Sequence, residues 1–205
     1  MLRSLSLVAV LALFPLLNAS AGEIEVPTAC DLLAAHPSDP DRIVAGVSAS
    51  VVREDLDTAI EACRRAVADD PEASRLVYYL GRVLFYSGNF LEGMEYVDQA
   101  AAMGHRQSQF VSALIHFDGV PDALPADACR AMGLWADAAG RGHYAASLAV
   151  ARHSLAGAFG DCEGAPSAAQ MHGWIEQQRG RDEAQDYYHG LVIGLLLDLL
   201  ARESA

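Results

Sequence analysis

Seven histidines and four cysteines are the residues of this chain best equipped for chemistry. A hydrolytic metal site needs His at HxxxH or HExxH spacing, and His153, His172 and His189 have no such partner. Structural zinc needs CxxC or CxxH, which are also missing. No GxSxG or SxxK marks a nucleophile, and no Gly-rich loop is placed to cradle a phosphate. His105 and His143 each follow a helix-ending Gly and read as turn residues. Asp69-Asp70 reads as a solvated helix end. The chemistry left is oxidative pairing. Cys30, Cys63, Cys129 and Cys162 are even in number, which in an exported chain implies two disulfides. Three connectivities are possible. Cys30–Cys63 with Cys129–Cys162 joins near neighbours in loops of similar length, and is the expected pairing. No enzyme activity, cofactor or metal is expected.

Arginines and aromatics are the other candidates, because Tyr and Arg commonly anchor protein interfaces. Tyr78, Tyr79, Arg82 and Tyr86 share one predicted helix. Gln107, Gln109 and His116 lie on a second, and Tyr144, Arg152 and His153 on a third. Adjacent residues diverge by about 100° around a helix, so Tyr78 and Tyr79 cannot both face one groove. Tyr79, Arg82, Tyr86, Gln109, His116, Tyr144 and Arg152 are the expected partner contacts. His116 also reads as packed inside its helix.

Helix-period patterns cover almost the whole chain. Stop signals divide them into helices near 27–35, 55–68, 74–87, 90–103, 106–117, 125–139, 144–156, 167–179 and 182–204. Short loops make neighbours antiparallel. A period also emerges. Gly104-His105 recurs as Gly142-His143, 38 residues on. Val97, Trp135 and Trp174 follow at 38 and 39, and Gly119 and Gly157 at 38. One helix pair per period predicts an all-α, right-handed helical-hairpin solenoid.

At these residues the chain resembles known repeats. Asp57–Pro71 is similar to the second helix of a tetratricopeptide repeat, with Ala59, Cys63, Ala66 and Pro71 in register. Ser74–Ala102 is similar to the next unit, through Leu80-Gly81, Gly88 and Ala100. Gly119-Val120-Pro121, Ala131, Trp135, Ala138-Ala139 and Gly142 resemble the Sel-one-like variant. The resemblance covers roughly residues 50–180. It implies a protein or peptide partner held in a concave groove, and a regulatory or adaptor role. Cysteine-bearing relatives imply an alternative, an envelope protein that binds or acts on peptidoglycan or β-lactam-like ligands.

Compartment follows from the first residues. Arg3, an apolar run from Leu5 to Leu17, and Ala19-Ser20-Ala21 form the three parts of a secretory signal. Cleavage after Ala21 predicts a periplasmic or secreted protein with no stable membrane span. It removes one Arg and no acid, taking the formal net charge from −13 to −14. The chain has no Lys, and so acidic a surface repels nucleic acid. The expected organisation is a signal at 1–21, an N-terminal segment with a short helix at 22–49, repeats at 50–180 and a capping helix at 181–205. Within the last, Gly190–Leu200 is apolar nearly all round, which fits a cap or a dimer surface.

Overall fold

A computed structural model describes residues 25–181 and 186–203. The expected signal at 1–21 lies outside them. The described residues are all-α, with one isolated antiparallel bridge between Val120 and Leu124. The helices are α1 (Ala29–Ala34), α2 (Ala49–Glu54), α3 (Leu56–Asp69), α4 (Ser74–Tyr86), α5 (Phe90–Ala102), α6 (Arg106–Asp118), α7 (Ala128–Gly140), α8 (Tyr144–Leu155), α9 (Ala168–Glu176) and α10 (Tyr187–Glu203). None of them is long and apolar enough to cross a membrane.

Periodicity misses only α2. It is one and a half turns long, too short to show a period, and Asp55 (φ −141°, ψ 59°) breaks it from α3. Ser48 caps its start by accepting from the Val51 N–H. The helix expected from Pro125 begins at Ala128, because Asp127 takes the cap position and accepts from the Arg130 N–H at 2.9 Å.

From α3 onward each helix packs on the next in chain order; α1 packs on α3 and α4, and α8 also packs on α10. Two apolar clusters result. One gathers Cys30, Val52, Leu76, Leu84 and Val97, and the other Trp135, Val150, Ile175 and Leu197. Small residues set the helix spacing. A Cβ added to Gly81 of α4 would lie 2.8 Å from Val97 Cγ2 and 2.9 Å from Gly93 O on α5. Ala is the better helix former by about 1 kcal/mol, but overpacking costs about 1–3 kcal/mol. Backbone atoms form part of the clash and cannot swing away, so overpacking wins. Gly81→Ala is expected to lower the thermal midpoint, and a raised midpoint would show that α4 and α5 can separate freely.

The repeated Gly-His pair is a junction between helices. Gly104 (φ 91°) and Gly142 (φ 80°) take the left-handed conformation that ends α5 and α7. The following N–H groups, of His105 and His143, reach back to Ala100 O (3.0 Å) and Ala138 O (2.9 Å). Each His then caps the next helix. His105 Nδ1 accepts from the Ser108 N–H, and His143 Nδ1 from the Ala146 N–H, at 3.2 and 3.1 Å. Both rings stack on an upstream aromatic, His105 on Tyr78 and His143 on Phe110.

Both disulfides form as expected, Cys30–Cys63 and Cys129–Cys162, each spanning 33 residues. The first fastens α1 to α3. The second ties the start of α7 to the loop before α9. The two bridges fit an oxidising compartment.

Candidate functional site

The face of α4 expected to meet a partner is already covered by the chain's own N-terminal segment. α1 is closed by a capping box in which the Thr28 N–H donates to Asp31 and Thr28 Oγ1 accepts from the Asp31 N–H. The disulfide and the ion pair between Asp31 and Arg75 press α1 onto α3 and α4. From there residues 36–46 loop out, and the loop is shut by the Val47 N–H donating to Ala35 O at 2.7 Å. Irregular backbone needs acceptors and donors from elsewhere. Arg82 supplies three N–H donors, to Ala34 O (2.7 Å), Ala35 O (3.0 Å) and Val47 O (2.8 Å). Tyr79 donates its hydroxyl to Asp39 at 2.9 Å.

This placement corrects the reading of α4. Tyr78, Tyr79 and Arg82 are all buried, with Arg82 only 4% exposed. Tyr79 and Arg82 hold the protein's own loop, Tyr78 stacks on His105, and none of the three has surface to offer a partner. Tyr86 is half-buried and accepts from Arg82 Nε at 3.3 Å, with the Arg53 guanidinium 4.4 Å above its ring. Gln109 is buried too, donating to Ala101 O and accepting from Arg141. Gln107 is buried against His143.

Asp39, Asp41 and His105 bring their ligand atoms within 4.8 Å of one another, a spacing a metal ion could use. The donor chemistry argues against one. His105 Nδ1 already accepts the Ser108 N–H, so the neutral ring carries its proton on Nε2. That Nε2 sits 3.3 Å from Asp39 Oδ2, at the far edge of hydrogen-bonding range. Arg106 forks onto Asp41 and supplies the positive charge. Burial works against both carboxylates, yet their neighbours win. His105, the Asp41 N–H and Tyr79 hold Asp39 below its ordinary pKa, and Arg106 does so for Asp41. The group is a latch that ties the loop to the start of α6.

A second cluster, not foreseen from the sequence, centres on Asp98 of α5. It accepts from Ser112 Oγ at 2.6 Å, lies 3.2 Å from His116 Nε2 and pairs with Arg130. Serine, histidine and aspartate together invite comparison with a hydrolase triad. A triad needs the serine proton directed to histidine; here it is directed to the carboxylate. His116, expected as a partner contact, is buried and joins α6 to α5. Ser112 and His116 are four apart on α6, a spacing that could have flagged a shared acidic neighbour.

The third expected helix carries the one expected contact that is exposed. Arg152 of α8 is exposed, and Tyr144 lies edge-on to His189 at the start of α10. His153 stacks flat on Trp135 at 5.0 Å, and its pKa is lowered, first by burial and then by Arg152. Between α8 and α10 runs an apolar groove of about 560 Å³, lined by Leu148, Arg152, Leu155, Val192, Leu195 and Leu199. Its α10 wall continues outward through Tyr188 (73% exposed), Leu191 (55%) and Leu195 (60%). The inner face of the same helix is buried through Ile193, Leu196, Leu197 and Leu200. α10 therefore carries two apolar faces and has packed one of them.

Comparison with protein-family models, with curated proteins and with solved structures returns no match.

Proposed function

We propose that this is an exported helical-repeat module that binds a protein in the cell envelope, through the groove between α8 and α10. The observation carrying the proposal is the unpacked apolar face of α10 beside Leu148, Arg152 and Leu155. Exposed apolar surface of this extent is a cost in water, and it commonly marks an interaction site. The 38-residue spacing of Gly104-His105 and Gly142-His143, together with chain-order packing, supports a solenoid of the Sel-one-like or tetratricopeptide kind. The two disulfides support the periplasm or the exterior. The groove differs from the one expected over α4, where the partner's place is taken in cis by residues 36–46.

A non-catalytic role is supported by the commitments of the polar groups. Asp39 holds Tyr79, Asp41 holds Arg106, Asp98 holds Ser112, His116 and Arg130, and His105 Nδ1 caps α6. The cell-wall reading has one observation in its favour, a polar cleft of about 570 Å³ lined by Glu25, Asp41, Arg75, Arg106 and Arg141. Two of its three arginines, Arg75 and Arg106, are already paired with Glu25 and Asp41, while Arg141 is bonded to the neutral Gln109. Calorimetric titration with muropeptides is expected to give no heat of binding, and saturable heat would favour the cell-wall reading.

The groove is tested by placing a photo-crosslinking amino acid at Leu195 in cells. A discrete protein adduct is expected there, and none at Glu61, which is exposed on α3 far along the chain. Equal labelling at both positions, or none at Leu195, would remove the groove from consideration.

A further inference from the structure

We infer that the occupant of this groove is α10 of a second copy of the same chain, laid antiparallel across Leu195. This rests on the reading of α10 as the binding surface and names what it binds.

The spacing of the exposed face carries the inference. Tyr188, Leu191, Leu195, Leu199 and Arg202 lie on one side of α10, at steps of three, four, four and three. Such steps keep side chains in one stripe along a helix. They are also symmetric about Leu195. A twofold axis through Leu195 sets Leu195 against its own copy, Leu191 against Leu199, and Tyr188 against Arg202. Every pair is complementary: apolar with apolar, and a guanidinium with an aromatic face. An isologous interface demands that one patch fit itself in this way. A foreign helix imposes no symmetry on the surface that receives it.

The extent of the surface is adequate. Tyr187, Tyr188, Leu191, Val192 and Leu195 together expose on the order of 600 Å² per chain. Two copies, with Tyr187 and Val192 flanking the stripe, can bring together up to about 1,200 Å², the lower end of specific interfaces. Antiparallel α10 helices also oppose their dipoles favourably. Opposing the pairing are the net charge, −13 for the full chain and −14 once the expected signal is removed, and the exposed Asp198 beside the stripe. Salt screens exposed charges beyond about 8 Å at physiological strength, so added salt should tighten the pair.

The test is sedimentation velocity of the mature, disulfide-intact protein over a range of concentrations. A reversible monomer–dimer equilibrium that strengthens with salt is expected. Leu195→Glu should weaken it about a hundredfold or more, since one leucine is lost and one charge gained on each side of the axis. Leu195 is exposed, so circular dichroism and the thermal midpoint of the monomer should not change. Leu195→Cys should oxidise to a covalent dimer far faster than Leu32→Cys, an equally exposed position on α1. A wild type that stays monomeric throughout, or a dimer indifferent to Leu195→Glu, overturns the inference. The photo-crosslink in cells separates the two readings. An adduct of twice the chain mass agrees with self-association. An adduct with a different protein, from a chain that is monomeric in solution, overturns self-association and leaves the groove as a binding site. No adduct at all removes both.

Discussion

Arg82→Ala is expected to destabilise the protein by about 3–5 kcal/mol, the cost of removing a buried charged partner from a satisfied network. The side chain donates to Ala34 O, Ala35 O and Val47 O, and its loss takes all three of these bonds at once. Domains are stable by only about 5–15 kcal/mol, so the loss is a large fraction of the total. Urea unfolding should show a lower midpoint, and limited proteolysis should cut within 36–46 well before the wild type is touched. Arg82→Lys should recover only part of the loss, because an ammonium cannot match the planar fork. Wild-type stability and an uncut loop in Arg82→Ala would mean that the other ties suffice to hold it, Cys30–Cys63, Tyr79 on Asp39, Arg106 on Asp41 and the Val47 N–H on Ala35 O. If Arg82 were instead an exposed anchor, its loss would reduce partner binding and leave stability untouched. The two outcomes are opposite in kind.

The second large effect is a loss of stability between about pH 6.5 and pH 4. Burial, aided by the positive charge of Arg106, lowers the His143 pKa from 6.5 to about 4. Its Nδ1 must also stay unprotonated to cap α8. In that window the unfolded chain binds a proton that the folded chain refuses, so stability falls as pH falls. At 1.36 kcal/mol per pKa unit the ring alone contributes on the order of 3 kcal/mol. His36 is lowered to about 4 as well, first by burial and then by Arg82, and acts in the same direction. Asp39 and Asp41 act at lower pH. Their depressed pKa values stabilise the fold above the ordinary carboxylate range, and that contribution disappears only as pH falls through their folded values. His143→Asn tests the assignment, since Asn is a good cap and does not titrate. Denaturation from pH 7 to pH 4 should give a visibly shallower decline for the variant. An identical decline would place the proton elsewhere.

Much of the architecture was legible because its signals are local. Gly104 and Gly142 end helices by a conformation only glycine adopts cheaply, so the turns could be read residue by residue. The cysteine pairing followed from proximity along the chain. The candidate site was less legible. Tyr79 and Arg82 have the composition of an interface, and no local signal distinguishes an arginine reaching out to a partner from one reaching in to stray carbonyls. What decides is the position of residues 36–46, which have no period and no propensity of their own. Their place is set by contacts 35–65 residues away, such as Val47 with Arg82 and Asp41 with Arg106. The exposed face of α10 was visible as an apolar excess from Gly190 to Leu200. Which half of that excess would be buried depended on where α8 and α9 came to rest.

The two disulfides also determine how the molecule carries tension. A pull on the chain ends bypasses everything between Cys30 and Cys63, and again between Cys129 and Cys162. α8 lies inside the second closed loop and is shielded from the load. α10 lies outside it and takes the load directly. The groove between α8 and α10 therefore has one wall that force cannot unravel and one that it can. Traction on the C-terminus would peel α10 from α8 and shed whatever the groove holds, with both covalent loops still shut and able to receive α10 again when the load is released.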